Sequence, residues 1–166
     1  MNRLSLSYLL FTALCISSCS SHFPVNSNGY SRNIKTFPEA KPDSYWKQKL
    51  SPDTYDIMVN SGTELPFHNP YWNNEKKGIY ISAATGEPLF SSVSKFDSGT
   101  GWPSFFKPIN EKKIKIIRDN SFLQERQEVV EASTGLHLGH VFDDGLQPTG
   151  KRYCLNSKAL KFIEMK

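Results

Sequence analysis

Cys154 stands in the run Arg152-Tyr153-Cys154-Leu155-Asn156. Strand alternation places Arg152, Cys154 and Asn156 on one face, with Tyr153 and Leu155 on the other. A cation two residues from a thiol favours the thiolate, which is the nucleophilic form. Asn156 adds a neutral donor and acceptor beside it. The competing reading of a lone cysteine is a buried, inert filler. A second run, His137-Leu138-Gly139-His140-Val141-Phe142-Asp143-Asp144-Gly145, holds half of the chain's 4 histidines. Imidazoles near a thiol suit acid–base work because they titrate near neutrality. The same two histidines with Asp143, Asp144 and Cys154 would also furnish enough ligands for a metal. In a third run, Phe96 to Phe105, Gly99 and Gly101 flank Thr100 and suit backbone angles closed to other residues. Trp102, Phe105 and Phe106 then form an aromatic wall, either around a pocket or in a core beneath a turn.

The elements that must hold these runs are mostly short strands. Ser51-Pro52-Asp53 is a helix start, with a capping hydroxyl, a first-turn proline and an acid. This helix carries Tyr55, Ile57, Met58 and Val59 and stops near Gly62. A shorter helical piece covers Ser44 to Leu50. Gly78 to Phe90 reads as two strands around a turn at Thr85-Gly86-Glu87-Pro88. Lys113 to Arg118, Gln127 to Ala132, His137 to Phe142, Arg152 to Asn156 and Leu160 to Ile163 complete the set, with Ser157 capping a turn before the last. Many short strands separated by turn signals predict a mainly β fold of two packed antiparallel sheets with short N-terminal helices.

The ends and the charge narrow the setting. Leu4 to Ile16 is apolar after Arg3, and a run of about 13 residues is too short to span a bilayer, which takes about 20. Ile16-Ser17-Ser18-Cys19 resembles a bacterial lipobox, which implies acylation of Cys19 after removal of residues 1–18. The alternative is an ordinary secretory signal cut slightly later. Residues 19–42, rich in Ser, Asn, Pro and Gly, read as a flexible tether, and 43–166 as one domain. The setting implied is the bacterial cell envelope, lipid-anchored on the periplasmic face, with the outer membrane favoured in a Gram-negative host. A net charge of +4 without a basic cluster argues against nucleic-acid binding. Cys15 leaves with the signal and Cys19 is acylated, so Cys154 is the lone thiol of the mature chain. Monomer is the default expectation.

Taken together, GTGWPSF, HLGHVFDDG and RYCLN resemble the methionine-R-sulfoxide reductase B family. Gly62-Thr63-Glu64, Pro66-Phe67, Gly78-Ile79-Tyr80, Pro88-Leu89-Phe90-Ser91 and Lys95-Phe96-Asp97 extend the likeness over roughly 48–163. The resemblance implies reduction of the R epimer of peptide-bound methionine sulfoxide, an oxidation product that this enzyme class reverses. Cys154 takes the place of the cysteine that attacks sulfur and becomes a sulfenic acid. His140, and secondarily His137, match the histidines near the departing oxygen, and Asn156 a residue that holds the reacting groups. Arg152 is expected to favour the thiolate and to pair with a carboxylate, Asp143. Trp102 matches the aromatic that packs on the substrate methyl, with Phe105 beside it. The substrates implied are oxidised envelope proteins.

Two departures from the family pattern carry consequences. Many relatives bind structural zinc through two C-x-x-C pairs, and here those positions are Ser82 and Thr85, then Glu131 and Thr134. The expectation is that no metal is bound and that the packed core suffices. Many relatives also place a resolving cysteine where this chain has Thr100. The sulfenic acid then requires an external thiol reductant, such as a thioredoxin-like protein. Other classes remain distinguishable: a peptide-binding module, a thiol peroxidase, and a metal-binding protein using His137 and His140.

Overall fold

The computed structural model describes residues 36–119 and 125–166; the predicted signal, the acylation site Cys19 and most of the tether lie outside the described residues. Two short helices come first. Helix α1 spans Asp43–Lys49 and buries Trp46. Helix α2 spans Pro52–Met58 and starts as its sequence dictates: the Ser51 hydroxyl accepts the Thr54 N–H at 3.3 Å, with Pro52 at the first turn. The helix ends at Met58, and the Gly62 N–H reaches back to the Asp56 carbonyl at 3.0 Å. The stop expected near Gly62 is therefore a wrapped turn rather than helix.

Nine strands follow among the described residues, and all their pairings are antiparallel. They are β1 (Gly78–Ser82), β2 (Pro88–Ser91), β3 (Lys95–Phe96), β4 (Ser104–Phe105), β5 (Ile114–Asp119), β6 (Arg126–Glu131), β7 (His137–Phe142), β8 (Arg152–Leu155) and β9 (Leu160–Glu164). One sheet has the order β2-β1-β9, the other β3-β4-β8-β7-β6-β5. The expected mainly β fold with two antiparallel sheets is what the chain adopts. The two-residue strands β3 and β4, on either side of the glycine-rich run, were not foreseen.

Alternation along the strands turns one set of side chains into a shared aromatic core. Tyr80 of β1 meets Phe105 of β4 edge-on at 5.0 Å, and Phe90 of β2 lies 4.8 Å from Phe105 and 5.6 Å from Tyr153 of β8. Such offset and edge contacts add to the burial of large rings. Phe105 is wholly buried in this core. The expectation that it contacts substrate is thereby corrected: on β4 it points to the opposite face from Cys154.

Packing also reaches into the segment read as tether. The Phe37 ring is buried against Gly135 at the β6–β7 turn, below the Lys115 ammonium at 5.0 Å, and the Glu39 N–H donates to the Ser133 carbonyl at 2.8 Å. The packed structure thus begins before residue 43.

Candidate active site

Strand register builds the centre of the site. Cys154 on β8 lies opposite His140 on β7 and Ser104 on β4, and His140 lies opposite Glu128 on β6. Ser104, Cys154, His140 and Glu128 form one row across four strands, so their side chains share a face.

His137 joins that face through a bulge. In a regular strand residues three apart point to opposite faces. Val129 pairs with Gly139 but Val130 pairs with His137, so β7 carries one extra residue there. The two imidazoles consequently meet, with ring centroids 5.4 Å apart. Gly139 between them is required by close approach: a Cβ there would lie 2.2 Å from the Cys154 carbonyl oxygen.

Each histidine has a carboxylate partner. His140 Nε2 lies 2.9 Å from Asp119 Oδ2, which also accepts from Arg126 Nη2 at 2.8 Å. His137 Nδ1 lies 2.6 Å from Glu128 Oε1, and its Nε2 faces the Asn156 amide at 3.4 Å. An ionised carboxylate only accepts, so these pairings assign the proton to Nε2 of His140 and Nδ1 of His137. Burial holds the His140 pKa down at about 4, with the neighbouring His137 adding to the effect and Asp119 opposing it. His140 is neutral at physiological pH.

The cysteine is less activated than the sequence suggested. Burial pushes the Cys154 thiol above its ordinary range; Thr100, Arg152 and Ser104 pull the other way without overcoming it. The expected effect of Arg152 has the right sign and loses to desolvation. Thr100 Oγ1 lies 3.8 Å from Cys154 Sγ, at the end of a chain of hydroxyls running from Ser104 through Ser98 at 2.7 and 2.8 Å.

The partner expected for Arg152 is also corrected. Arg152 forms a two-pronged pair with Asp144, Nε and Nη2 each 2.8 Å from a carboxylate oxygen, and its guanidinium stacks 4.4 Å over the Phe142 ring. Arg152 lies opposite Phe142, which sets the next residue along, Asp143, alongside Lys151, to which it is paired. Asp143 therefore faces away from the guanidinium, and Asp144, past the strand end, takes its place.

A cavity of about 220 Å³ opens over Cys154, lined by Thr63, Trp102, Arg126, Gly139, His140, Phe142, Leu155 and Asn156 as well. Trp102 is fixed by donating Nε1 to the Glu64 carbonyl at 3.1 Å, and Asn156 Oδ1 accepts the Glu64 N–H at 3.1 Å. The buried Glu64 carboxylate in turn accepts from the Ser157 and Lys158 N–H groups. Of the residues singled out from sequence, Cys154, His140, Asn156 and Trp102 line the cavity. Arg152 acts on the sulfur from beside it, and His137 stands behind Asn156. Phe105 and Asp143 lie elsewhere. Asp119, Arg126 and Glu128 were missed; they stand on strands that mix charged, polar and apolar residues, which offers no signal for them.

Residues 50–164 match the SelR domain. Peptide methionine sulfoxide reductase MsrB of Methanosarcina mazei is 49% identical over 124 residues, covering 75% of this chain and 89% of that protein. The chain belongs to this family. Among other methionine sulfoxide reductase B relatives, the Agrobacterium fabrum MsrB is 48% identical over 122 residues, covering 74% of this chain and 90% of its own. Peptide methionine sulfoxide reductase B1, chloroplastic, of Arabidopsis thaliana is 52% identical over 120 residues, 72% of this chain and 59% of its own.

The four positions that many reductase B relatives give to zinc hold each other directly. Glu131, wholly buried, accepts hydrogen bonds from Ser82 at 3.0 Å, from Thr134 at 3.2 Å and from Thr85. Zinc sites of this class are built of thiolates and imidazoles. Three hydroxyls around one carboxylate whose oxygens are already engaged do not fit the metal.

Proposed function

We propose that this chain reduces the R epimer of peptide-bound methionine sulfoxide, with Cys154 as nucleophile. The observation that carries this reading is the pairing of Cys154 with His140 across β8 and β7, beneath a cavity walled by Trp102 and Asn156. The family relatives support its coarser part, since they are named peptide methionine sulfoxide reductases.

Neutral His140 takes the thiol proton of Cys154 and delivers it to the sulfoxide oxygen as sulfur attacks sulfur. The protonated oxygen then passes to the Cys154 sulfur as the S–O bond to methionine and the transient S–S bond break, giving methionine and a sulfenic acid with no net proton uptake. Trp102 seats the substrate methyl, and the donors lie on the other side, so only one epimer directs its oxygen toward them. His137 and Glu128 hold Asn156, and Asp119 holds His140. A first external thiol condenses with the sulfenic acid, releasing water and forming a mixed disulfide. A second thiol frees Cys154 and leaves as disulfide. A thioredoxin-like protein is the reductant this chemistry calls for.

The finer parts of the reading belong to the same proposal. The domain functions without structural zinc, as the Glu131 hydrogen-bond knot supports. The lipobox-like Ile16-Ser17-Ser18-Cys19 supports a lipid anchor at the bacterial envelope, where oxidised envelope proteins would be the substrates; monomer is the default state.

The test is a single turnover on a peptide carrying R-methionine sulfoxide, without added reductant. One methionine per chain, lost in Cys154→Ser, is expected. Binding of the peptide without methionine formation would overturn the reading in favour of a peptide-binding module.

A further inference from the structure

Two large apolar side chains beside the cavity face solvent. Leu65 is 70% exposed and Phe67 50%. Both follow Thr63, which lines the cavity, and Glu64, whose carbonyl fixes Trp102. Phe67 is held in place against its own preference. Its φ is 60°, in the left-handed region where a bulky residue is strained. Its N–H donates to the Gly101 carbonyl at 2.8 Å, and its ring meets Trp72 edge-on at 5.3 Å. A Cβ on Gly101 would come within 2.7 Å of the Phe67 backbone nitrogen, so glycine there makes the arrangement possible. Strain of this kind persists only where the surroundings fix it, and here they fix a half-exposed ring next to the cavity.

The cavity, about 220 Å³, is smaller than the pockets of roughly 300–1,000 Å³ that enclose drug-sized ligands. It admits one side chain, and the rest of a bound polypeptide must lie outside, over the rim. Oxidation makes a methionine polar and disrupts the core that held it, so the segment it loosens carries apolar neighbours. We infer that Leu65 and Phe67 form a docking lip for the apolar residues adjoining methionine sulfoxide in such a loosened segment, an inference that rests on the reductase reading above.

The test uses three R-sulfoxide substrates: a peptide with Leu and Val beside the sulfoxide, the same peptide with Ser at both places, and the blocked single amino acid. The wild type is compared with the double variant Leu65→Ser, Phe67→Gly; glycine accepts a φ of 60°, so the backbone is retained. The wild type is expected to show kcat/KM about fivefold higher on the apolar peptide, through KM and not kcat. In the double variant the two peptides become equivalent, while turnover of the blocked amino acid is unchanged. Equal rates on the two peptides in the wild type overturn the lip. So does a preference kept in the double variant, or an equal loss on the blocked amino acid. If the wild type turns over none of the three, the reductase reading itself falls, and the lip with it.

Discussion

Cys154 and His140 face each other across two adjacent strands, yet neither is charged at rest: burial holds the thiol protonated and the imidazole neutral. Under the proposed mechanism such a pair passes one proton from sulfur to the substrate and stores no ion pair.

The state of the thiol is open to alkylation. Iodoacetamide reactivity of Cys154 is expected to keep rising as pH climbs past the ordinary thiol range, because burial dominates its environment. Arg152→Met should move the profile further up and slow alkylation at neutral pH, since the cation is one of the groups opposing burial. Asp144→Asn, which frees the guanidinium from its two-pronged pair, should disturb the profile, and Asp143→Asn should leave it alone. Equal effects of the two aspartate changes would contradict the pairing described.

Acid stability follows from His140. Its folded pKa of about 4 lies below the unfolded value near 6.5, so the unfolded chain binds the proton first as pH falls. The stability associated with neutral His140 is complete above pH about 6.5, declines between there and about 4, and then levels off. The loss is of the order of 3 kcal/mol, and His140→Gln should remove that part of the curve. Urea titrations at a series of pH values measure it; parallel curves for the two proteins would refute it.

Thr100 offers a gain of function. Its hydroxyl already touches the Cys154 sulfur at 3.8 Å. Thr100→Cys is expected to convert the sulfenic acid into an internal disulfide within one turnover. Mass spectrometry with a sulfenic-acid trap should find an adduct on the wild type and a bridged, unlabelled variant. Trapping in both would show that the glycine-rich run holds position 100 too far off for closure.

The Glu131 knot is expected to stabilise without metal. Glu131→Ala strands the hydroxyls of Ser82 and Thr134 in the core, and a loss of about 3 kcal/mol or more follows from unsatisfied buried groups. Thermal unfolding should show this drop, whereas a chelator should leave the wild-type Tm in place. A chelator-sensitive Tm would show that a metal is bound after all.

Much of this was legible in the sequence where local chemistry decides. β7 was read at its full extent from His137 to Phe142, and α2 from its cap and proline, because alternation and capping are short-range rules. Cys154 was legible as a lone thiol sharing a strand face with Arg152, whereas the expectations for His140 and Trp102 came through the family resemblance. Local chemistry failed where position depends on a partner strand. Phe105 looks like any pocket aromatic until register turns it into the core. Asp143 and Asp144 are indistinguishable until Arg152 is placed opposite Phe142. Asp119 and Glu128 resemble the solvent side of an edge hairpin, and only the fold brings each to an imidazole. The extra residue in β7 is invisible as a motif, since nothing in His-Leu-Gly-His marks where pairing slips.

That extra residue makes the slip in pairing between the two histidines as decisive as their identity. Were β7 to pair there without the bulge and with every residue retained, the two histidines, three apart, would alternate and one imidazole would go to the far side of the sheet. Point substitutions at Leu138 would trade packing for packing. A one-codon deletion of the extra residue would instead leave the histidines two apart in a regular strand, still on one face. The shared face of the two imidazoles is therefore a property of pairing register, which no spacing in the sequence displays.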